Sequence, residues 1–232
     1  MTLLPLYRSV ETAATITDRV LVSFSGGKDS VVTLDLCSRH FKHVEGFFMY
    51  LVKGISFQEN IIRYYEDKYG IPIHRIPHFM LSEFLRYGLF RLWDNSCPIV
   101  SVKETYDYIR EKSGIWWIAA GERIADSVVR RAIIKNSGTI DEKRGRFYPV
   151  AEWKKDDIRA YIRQRRLKVG IESSKLGFSF RSFMPEELIA LKENFPRDYE
   201  KIREWFPLVD AGIINHEIKE GRYGEVQQIP EI

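Results

Sequence analysis

The chain has 232 residues, of which 44% are hydrophobic and 29% are charged, and its formal net charge is +4. This length and apolar content suffice for one folded domain with a small appendage, and the small positive excess does not by itself indicate a nucleic-acid partner. No apolar run reaches the roughly 18 residues that a membrane span requires, and the N-terminus lacks the pattern of a signal peptide. Because Cys37 and Cys97 are the only cysteines and form no CxxC pair, we expect no disulfide framework and a cytoplasmic protein.

Strand-like and helix-like stretches alternate from about residue 19 to residue 166. The hydrophobic pattern predicts strands at Val20–Phe24, Val44–Leu51, Ile71–Ile76 and Ile115–Ala120. It predicts helices at Asp29–Phe41, Phe57–Tyr69, Leu81–Leu92 and Val100–Lys112. This alternation favours an α/β fold, in which a parallel twisted sheet carries helices on both faces. In such a sheet the ligand lies beyond the carboxyl ends of the strands.

The pattern changes from about Ser173, where a stretch rich in glycine and phenylalanine (residues 177–183) precedes a charged helical region, Pro185–Phe206. We therefore expect residues 1–170 to form the main domain. Residues 171–232 are expected to form a small helical C-terminal cap or substrate region.

The segment Ser25–Ser30 reads Ser-Gly-Gly-Lys-Asp-Ser and joins a predicted strand to a predicted helix. Its two glycines, Gly26 and Gly27, allow positive φ and bring backbone N–H groups close to an anion. Two serine hydroxyls, the charge of Lys28 and the N-terminal dipole of the helix complete a cradle for phosphate. Neither a Walker pattern nor G-x-G-x-x-G is present, so the segment predicts a phosphate loop of another kind. An ordinary glycine turn is the alternative.

A second polar cluster follows the predicted strand that ends at Ala120. If a helix begins at Arg123, one arc of it carries the polar side chains Arg123, Asp126, Ser127, Arg130 and Arg131. The opposite arc, expected to pack on the sheet, carries Ile124, Ala125, Val128, Val129 and Ala132. Because this segment and the glycine loop both follow strand ends, we expect the arginines to clamp a polyanion held by the loop. An amphipathic helix without a ligand is the alternative.

These motifs together resemble a known family. Ser25–Ser30 matches the SGGxDS signature of the PP-loop ATP pyrophosphatases. Residues 121–130 resemble the G-x-R-x-x-E-S-x-x-R pattern of their phosphoadenosine-phosphosulfate (PAPS) reductase-like branch, with Asp126 in place of the usual Glu. Residues 149–162 resemble that branch's P-L-x-x-W-x-x-x-D-V-x-x-Y-I stretch. The resemblance extends over residues 20 to about 166 and implies an adenine nucleotide alpha-hydrolase-like, Rossmann-like fold.

The resemblance also implies an enzyme that binds ATP, or PAPS, together with Mg²⁺. The expected nucleotide-binding residues are Ser23, Ser25, Gly26, Gly27, Lys28, Asp29, Ser30, Met49, Gly121, Arg123, Asp126, Ser127 and Arg130. The expected catalytic residues among them are Lys28, Asp29, Arg123 and Arg130. Asp29 and Asp126 are the expected Mg²⁺ ligands, since this ion prefers carboxylate oxygens. Met49 is included because the corresponding strand receives the adenine ring in relatives.

The favoured reaction is attack by an acceptor oxygen on the α-phosphate of ATP, which gives an adenylated acceptor and pyrophosphate, in sulfur metabolism or nucleic-acid modification. Two alternatives stay open. One is a PAPS or adenosine-phosphosulfate (APS) reductase or transferase that obtains its thiol from a partner protein. The other is a nucleotide-sensing module without turnover.

The chain departs from the PAPS reductases in its cysteines. No cysteine follows Cys97, so the C-terminal nucleophile of those enzymes is missing. One thiolate cannot hold an iron–sulfur cluster, and we interpret Cys97 as a structural thiol, with a sulfur-accepting thiolate as the alternative. The five histidines show no metal-ligand spacing.

Two basic clusters leave a nucleic-acid partner open. One is the run Lys143–Arg146, and the other comprises Arg163, Arg165, Arg166 and Lys168. A solvated face is the simplest interpretation of both clusters. Contact with the phosphate backbone of tRNA or DNA is the alternative.

Overall fold

The structure is a computed structural model that describes residues 4–171, 180, 182–219 and 221. The described residues form a six-stranded sheet in the order β3-β2-β1-β4-β6-β5. The strands are β1 Arg19–Ser23, β2 His43–Tyr50, β3 Ile73–Pro77, β4 Ile118–Ala119, β5 Ile140–Asp141 and β6 Arg146–Phe147. All neighbouring strands are parallel except the antiparallel pair β5 and β6.

Helices follow most of the strands. They are α1 Leu4–Ile16, α2 Lys28–His40, α3 Ser56–Tyr69, α4 Phe79–Tyr87, α5 Val102–Ser113, α6 Val128–Ser137, α7 Lys155–Arg165, α8 Pro185–Asn194, α9 Pro196–Trp205 and α10 Val209–Lys219. A 3₁₀ turn, Glu142–Arg144, connects β5 to β6. None of the described helices is both long and apolar enough to cross a membrane.

The central strand β1 is covered on both faces. Val20 and Val22 belong to one buried apolar cluster, and Leu21 between them belongs to another. Successive side chains of a strand point to opposite faces, so each face of β1 packs on its own layer. This arrangement confirms the predicted α/β fold with a mostly parallel sheet flanked by helices.

Several predicted boundaries differ from the structure. The strand expected at Ile115–Ala120 is only two residues long. The helix expected to reach Leu92 ends at Tyr87, because Gly88 adopts a left-handed conformation (φ 74°) that closes it. The next helix begins at Val102 after a capping box formed by Ser101 and Glu104.

The helical character expected of Pro185–Phe206 is found in the structure. The expected helical region Pro185–Phe206 is two helices, because Pro196 begins a new helix and cannot donate the backbone hydrogen bond that would continue the preceding one. A further helix, α10, was not anticipated. The expected start near Ser173 and the positions Gly177 and Phe178 lie outside the described residues.

The N-terminal helix α1 was also missed. Its Val10 and Ala13 are fully buried in the larger apolar cluster. The indole Nε1 of Trp153 donates to the carbonyl of Leu6 at 2.7 Å. This helix is therefore part of the core that contains β1.

The chain divides into two compact units, and the predicted division at residue 170 stays a prediction. The first unit comprises residues 1–50, 57–77 and 101–179 and contains the whole sheet. The second comprises residues 51–56, 78–100 and 180–232. Its core contains the aromatic rings of Phe84, Phe90, Phe183 and Phe206.

A buried carboxylate, Asp35, joins three helices of the first unit. Its side chain is 0% exposed, and its oxygens accept hydrogen bonds from the hydroxyls of Tyr69 on α3 and Tyr161 on α7, each at 2.6 Å. Arg165 Nε donates to it at 3.2 Å. Burial raises the pKa of the Asp35 carboxyl, but the hydrogen bonds from Tyr161, Tyr69 and Arg165 outweigh burial and hold this pKa below its ordinary value.

We predict that Asp35→Asn lowers the free energy of unfolding at pH 7 by about 2–4 kcal/mol, because buried donors lose their charged acceptor. The lowered pKa means that Asp35 stabilises the fold fully above its unfolded pKa of about 4, and that this stabilisation is lost as the pH falls through the folded pKa. Urea denaturation from pH 7 to pH 3 measures the free energy of unfolding of both proteins. The difference in this free energy between wild type and variant should narrow below about pH 4.

Asp18→Asn is the matched control, because the Asp18 side chain is 53% exposed and lies 3.8 Å from Lys42. Loss of such a surface pair costs at most about 1 kcal/mol. An equal effect of both substitutions would contradict the role given to Asp35.

Candidate active site

The segment Ser25–Ser30, the predicted phosphate loop, connects β1 to the first turn of α2. Gly26 has a positive φ of 74°, and the Ser30 hydroxyl donates to the carbonyl of Gly27 at 2.9 Å. Ser30 Oγ also accepts from the backbone N–H and the hydroxyl of Ser25, each at 3.1 Å. Gly27, expected to share the positive φ, instead caps α2 with an extended conformation (φ −76°). Its lack of a side chain, rather than an unusual φ, therefore distinguishes this position.

Gly121 brings the end of β4 against the start of α2. A Cβ at this position would lie 3.1 Å from the backbone carbon of Asp29 and 3.1 Å from the nitrogen of Ser30. These contacts are tight, and they involve backbone atoms that cannot move independently of the loop. Glycine at this position is therefore required for the close approach of the two predicted motifs.

Arg123 connects the two motifs through its guanidinium group. Its Nε lies 3.1 Å from Asp29 Oδ1, at the start of α2, and its NH2 group donates to Asp126 Oδ1 at 2.7 Å. The backbone N–H of Arg123 donates to the other oxygen of Asp126 at 2.9 Å. Arg130 NH1 reaches that same oxygen at 3.3 Å. The shorter carboxylate of Asp126 therefore holds both arginines.

Burial of Asp29 changes its acidity. Desolvation raises the pKa of the Asp29 carboxyl, the Arg123 guanidinium lowers it, and the neighbouring Asp126 raises it again. The net result is a pKa above the ordinary value. A cation or a hydrogen-bond donor close to Asp29 would favour its ionised form.

The helix expected from Arg123 begins later than predicted. Ser127 is its N-cap and accepts from the backbone N–H of Arg130 at 3.1 Å, so α6 begins at Val128. Residues 124–126 form a turn.

Of the apolar arc expected to pack on the sheet, Ile124 packs against a buried cluster that contains Ala120 and Tyr148. The expectation was wrong for Val128 and Val129, which are 78% and 68% exposed, and Ile134 is the buried residue of α6.

The remaining predicted site residues lie on neighbouring elements. Ser23 is the last residue of β1 and pairs with Phe47 of β2. Lys28 is the first residue of α2 and is half-buried. Met49 lies near the carboxyl end of β2, where it packs against the apolar cluster that contains Leu21.

Sequence reasoning missed Gly170. Its backbone N–H donates to the carbonyl of Gly26 at 3.0 Å and so fixes the loop from a segment that follows α7. Nearby, the hydroxyl of Tyr65 donates to the carbonyl of Lys168 at 2.6 Å. No sequence motif indicated these contacts, because both acceptors are backbone groups.

Two carboxylates, Asp29 and Asp126, lie at the site. Mg²⁺ is usually held by one or two carboxylates together with substrate phosphates, which matches this donor type, but Asp126 already binds both arginines and Asp29 binds Arg123. No cluster of three or more histidine, cysteine or acidic side chains suited to a metal occurs among the described residues.

The two cysteines differ in burial. Cys37 is fully buried in the core, and burial raises the pKa of its thiol. Cys97 belongs to the second unit, is half-buried, and its Sγ lies 3.8 Å from the carbonyl of Ser82. This environment fits the structural interpretation of Cys97.

Of the two basic clusters, the second is partly engaged within the fold. Arg165 binds the buried Asp35, and Lys168 Nζ lies 4.3 Å from the ring centroid of Tyr64. The cluster Lys143–Arg146 forms the turn between β5 and β6.

The strand order, the loop and the arginine pair define a Rossmann-like domain of the adenine nucleotide alpha-hydrolase-like class. The family model of the phosphoadenosine phosphosulfate reductase domain matches residues 19–170. The chain therefore belongs to the PAPS reductase domain family, and the predicted family membership is confirmed. No curated protein matches the chain.

The solved structures similar to the chain include a reductase and a tRNA thiolase. The phosphoadenylyl-sulfate (PAPS) reductase from Candida auris, a phosphate complex, has a TM-score of 0.53 and 17% identity, and the match covers 78% of this chain and 89% of that one. The U34-tRNA thiolase NcsA from Methanococcus maripaludis, with its 4Fe-4S cluster, has a TM-score of 0.50 and 16% identity. This match covers 88% of this chain and 78% of that one. At these identities the likeness shows the fold.

We predict that Gly121→Ala weakens ATP or PAPS binding at least about tenfold, since the added Cβ would push the strand end away from the loop by a few tenths of an ångström. Equilibrium binding of both nucleotides, measured by calorimetry, checks this. Gly114→Ala is the control, because Gly114 closes α5 with φ 66° and a Cβ there meets nothing within 4 Å. Similar binding losses in both variants would indicate general destabilisation instead of a local effect at the loop.

Proposed function

We propose that this protein is a nucleotide-binding enzyme that cleaves ATP at the α-phosphate, adenylates an acceptor and releases pyrophosphate. The observation that supports this proposal is the position of Arg123, which is 13% exposed and bound to the carboxylates of Asp29 and Asp126. This arrangement fixes a cation beside the phosphate loop before any ligand binds. Preorganised charge of this kind stabilises a transition state more than mobile charge does.

In the proposed step an acceptor oxygen attacks the α-phosphorus of ATP. A new P–O bond forms, the bond between the α-phosphorus and the bridging oxygen breaks, pyrophosphate leaves with the bonding electron pair, and the acceptor loses its proton to solvent. The loop Ser25–Ser30 would hold the departing pyrophosphate through backbone N–H groups, hydroxyls and Lys28. Arg123 and Arg130 would neutralise the charge that develops on it.

Asp29 and Asp126 would hold Mg²⁺ together with the phosphates of the nucleotide. The ion would supply further positive charge to the phosphate oxygens. The chain's own contribution is to orient the nucleotide, since Gly121 and Gly170 fix the loop from two sides. Met49, at the end of β2, would contact the adenine ring.

The first test is incubation of the purified chain with Mg²⁺ and α-labelled ATP, in parallel with labelled PAPS, with and without tRNA or DNA. Labelled AMP or an adenylated product, together with pyrophosphate, supports the proposal, and dependence on one acceptor identifies the substrate class. Turnover of PAPS alone, with a thiol donor, would replace it with the sulfonucleotide reaction. Tight binding of ATP without turnover under every condition would favour a sensing role.

We expect Lys28→Ala and Arg123→Ala each to weaken ATP binding or turnover by about 2–4 kcal/mol, as for loss of a charged transition-state donor. Arg159→Ala is the matched control, because Arg159 is 49% exposed and pairs only at 3.5 Å with the exposed Asp156. Steady-state kinetics of the three variants checks this, and wild-type kinetics in both site variants would refute the site.

A Cys97→Ser variant should retain ATP binding and turnover, because the proposed reaction uses no thiol. The same kinetic assay applies, with Cys37→Ser omitted since that thiol is fully buried. Complete loss of turnover with intact ATP binding would show that Cys97 takes part in the chemistry.

A further inference from the structure

The basic cluster Lys143–Arg146 forms one wall of an open cavity of about 780 Å³. The C-terminal half of α6, at Ile133 and Asn136, and Tyr148 also line the cavity. The residues of the phosphate loop do not line it. The cavity is therefore separate from the site described above.

Arg146 is held rigidly at this cavity. Its guanidinium carbon lies 5.1 Å from the ring centroid of Tyr106 and 5.5 Å from that of Tyr148. Its side chain is only 18% exposed, Glu122 accepts from it at a long 3.4 Å, and Asp141 is its partner across the β5–β6 pair. The two rings and the burial fix the plane of the guanidinium group.

The hydrogen-bonding capacity of Arg146 is not filled by the protein. Among the described residues, it makes one side-chain hydrogen bond, the long contact of its NH2 group with Glu122. Its Nε is closed to solvent, as are the Nε atoms of Arg91 and Arg123, and cannot be reached from the cavity. An oxyanion bound in the cavity would accept from the terminal N–H groups of Arg146, which lines it.

We propose that this cavity binds a phosphate ester. The planar guanidinium of Arg146 suits two oxygens of one phosphate, and the exposed cations Lys143 and Arg144 stand at the rim to contact a third. Two acidic residues also line the cavity. Asp141 is engaged by Arg144, through its backbone N–H at 3.1 Å and its NH1 group at 2.8 Å, and Glu142 is exposed to solvent.

Glu122 places the cavity beside the nucleotide site. It contacts Arg146 and lies in the chain between Gly121, which touches the phosphate loop, and Arg123. A phosphate ester bound by Arg146 would therefore belong to the acceptor. That assignment to the acceptor rests on the proposed function, whereas binding of the phosphate ester does not.

The test uses Asn136→Asp, which adds a negative charge to the wall of the cavity at an exposed position of α6. Asn60→Asp, at an exposed position of α3, is the matched control. The probes are ribose 5-phosphate, measured by calorimetry, and a fluorescein-labelled single-stranded DNA of ten thymidines, measured by anisotropy. Saturating α,β-methylene-ATP keeps the nucleotide site occupied in every titration.

We expect Asn136→Asp to weaken binding of the probe that the wild-type protein binds by about fivefold or more. The control, Asn60→Asp, should leave that binding unchanged. Arg146→Lys, which keeps the charge and removes the planar pair of terminal N–H groups, should weaken it as well, with melting curves used to check folding. If the variants lose affinity for ribose 5-phosphate alone, the ligand of the cavity is a small phosphate ester. If they lose affinity for the DNA, the ligand is a nucleic acid.

Absence of binding by the wild-type protein to both probes, or equal binding by the wild type and the Asn136→Asp variant, would overturn the proposal. Turnover of α-labelled ATP is measured on the same preparations. If ATP is not cleaved but the phosphate probe still distinguishes the Asn136 and Asn60 variants, the proposed function fails and the phosphate site stands.

Discussion

The buried charge of Asp35 is the interaction on which the arrangement of the first unit depends. It lies in the middle of α2, the helix whose first turn carries Lys28 and Asp29. Tyr69 from α3 and Tyr161 from α7 both donate to it, so the position of α2 relative to two other helices is set by hydrogen bonds to one carboxylate. An unpaired carboxylate at this depth would not be tolerated. The phosphate loop therefore ends on a helix whose position is fixed by these hydrogen bonds.

The site is an assembly of short contacts between backbone and small residues, with a few charges added. Gly121 permits the approach of β4 to α2, and Arg123 then fills the space between Asp29 and Asp126. Under the proposed function, the two carboxylates would compete with the nucleotide for the same guanidinium. Binding of a polyanion would then exchange one set of charge-assisted hydrogen bonds for another.

The sequence predicted the parts of the molecule that depend on periodicity and on local motifs. The parallel strands from β1 to β3 and the loop Ser25–Ser30 were found because buried strands and glycine turns leave strong local patterns. The start of α6 was misplaced because Ser127 competes as an N-cap with a helix that begins at Arg123. The burial of its apolar residues could not be predicted, since an amphipathic pattern does not say whether a partner layer is present.

The contact between Gly170 and Gly26 bears on how much of the chain a nucleotide-binding domain needs. Every recognisable motif ends by Ile162, within α7. A fragment cut at the end of that helix would keep all of those motifs and the whole sheet. It would nevertheless leave the carbonyl of Gly26 without its donor and the hydroxyl of Tyr65 without its acceptor. The smallest fragment with an intact loop therefore extends to residue 170, which is also where the family match ends.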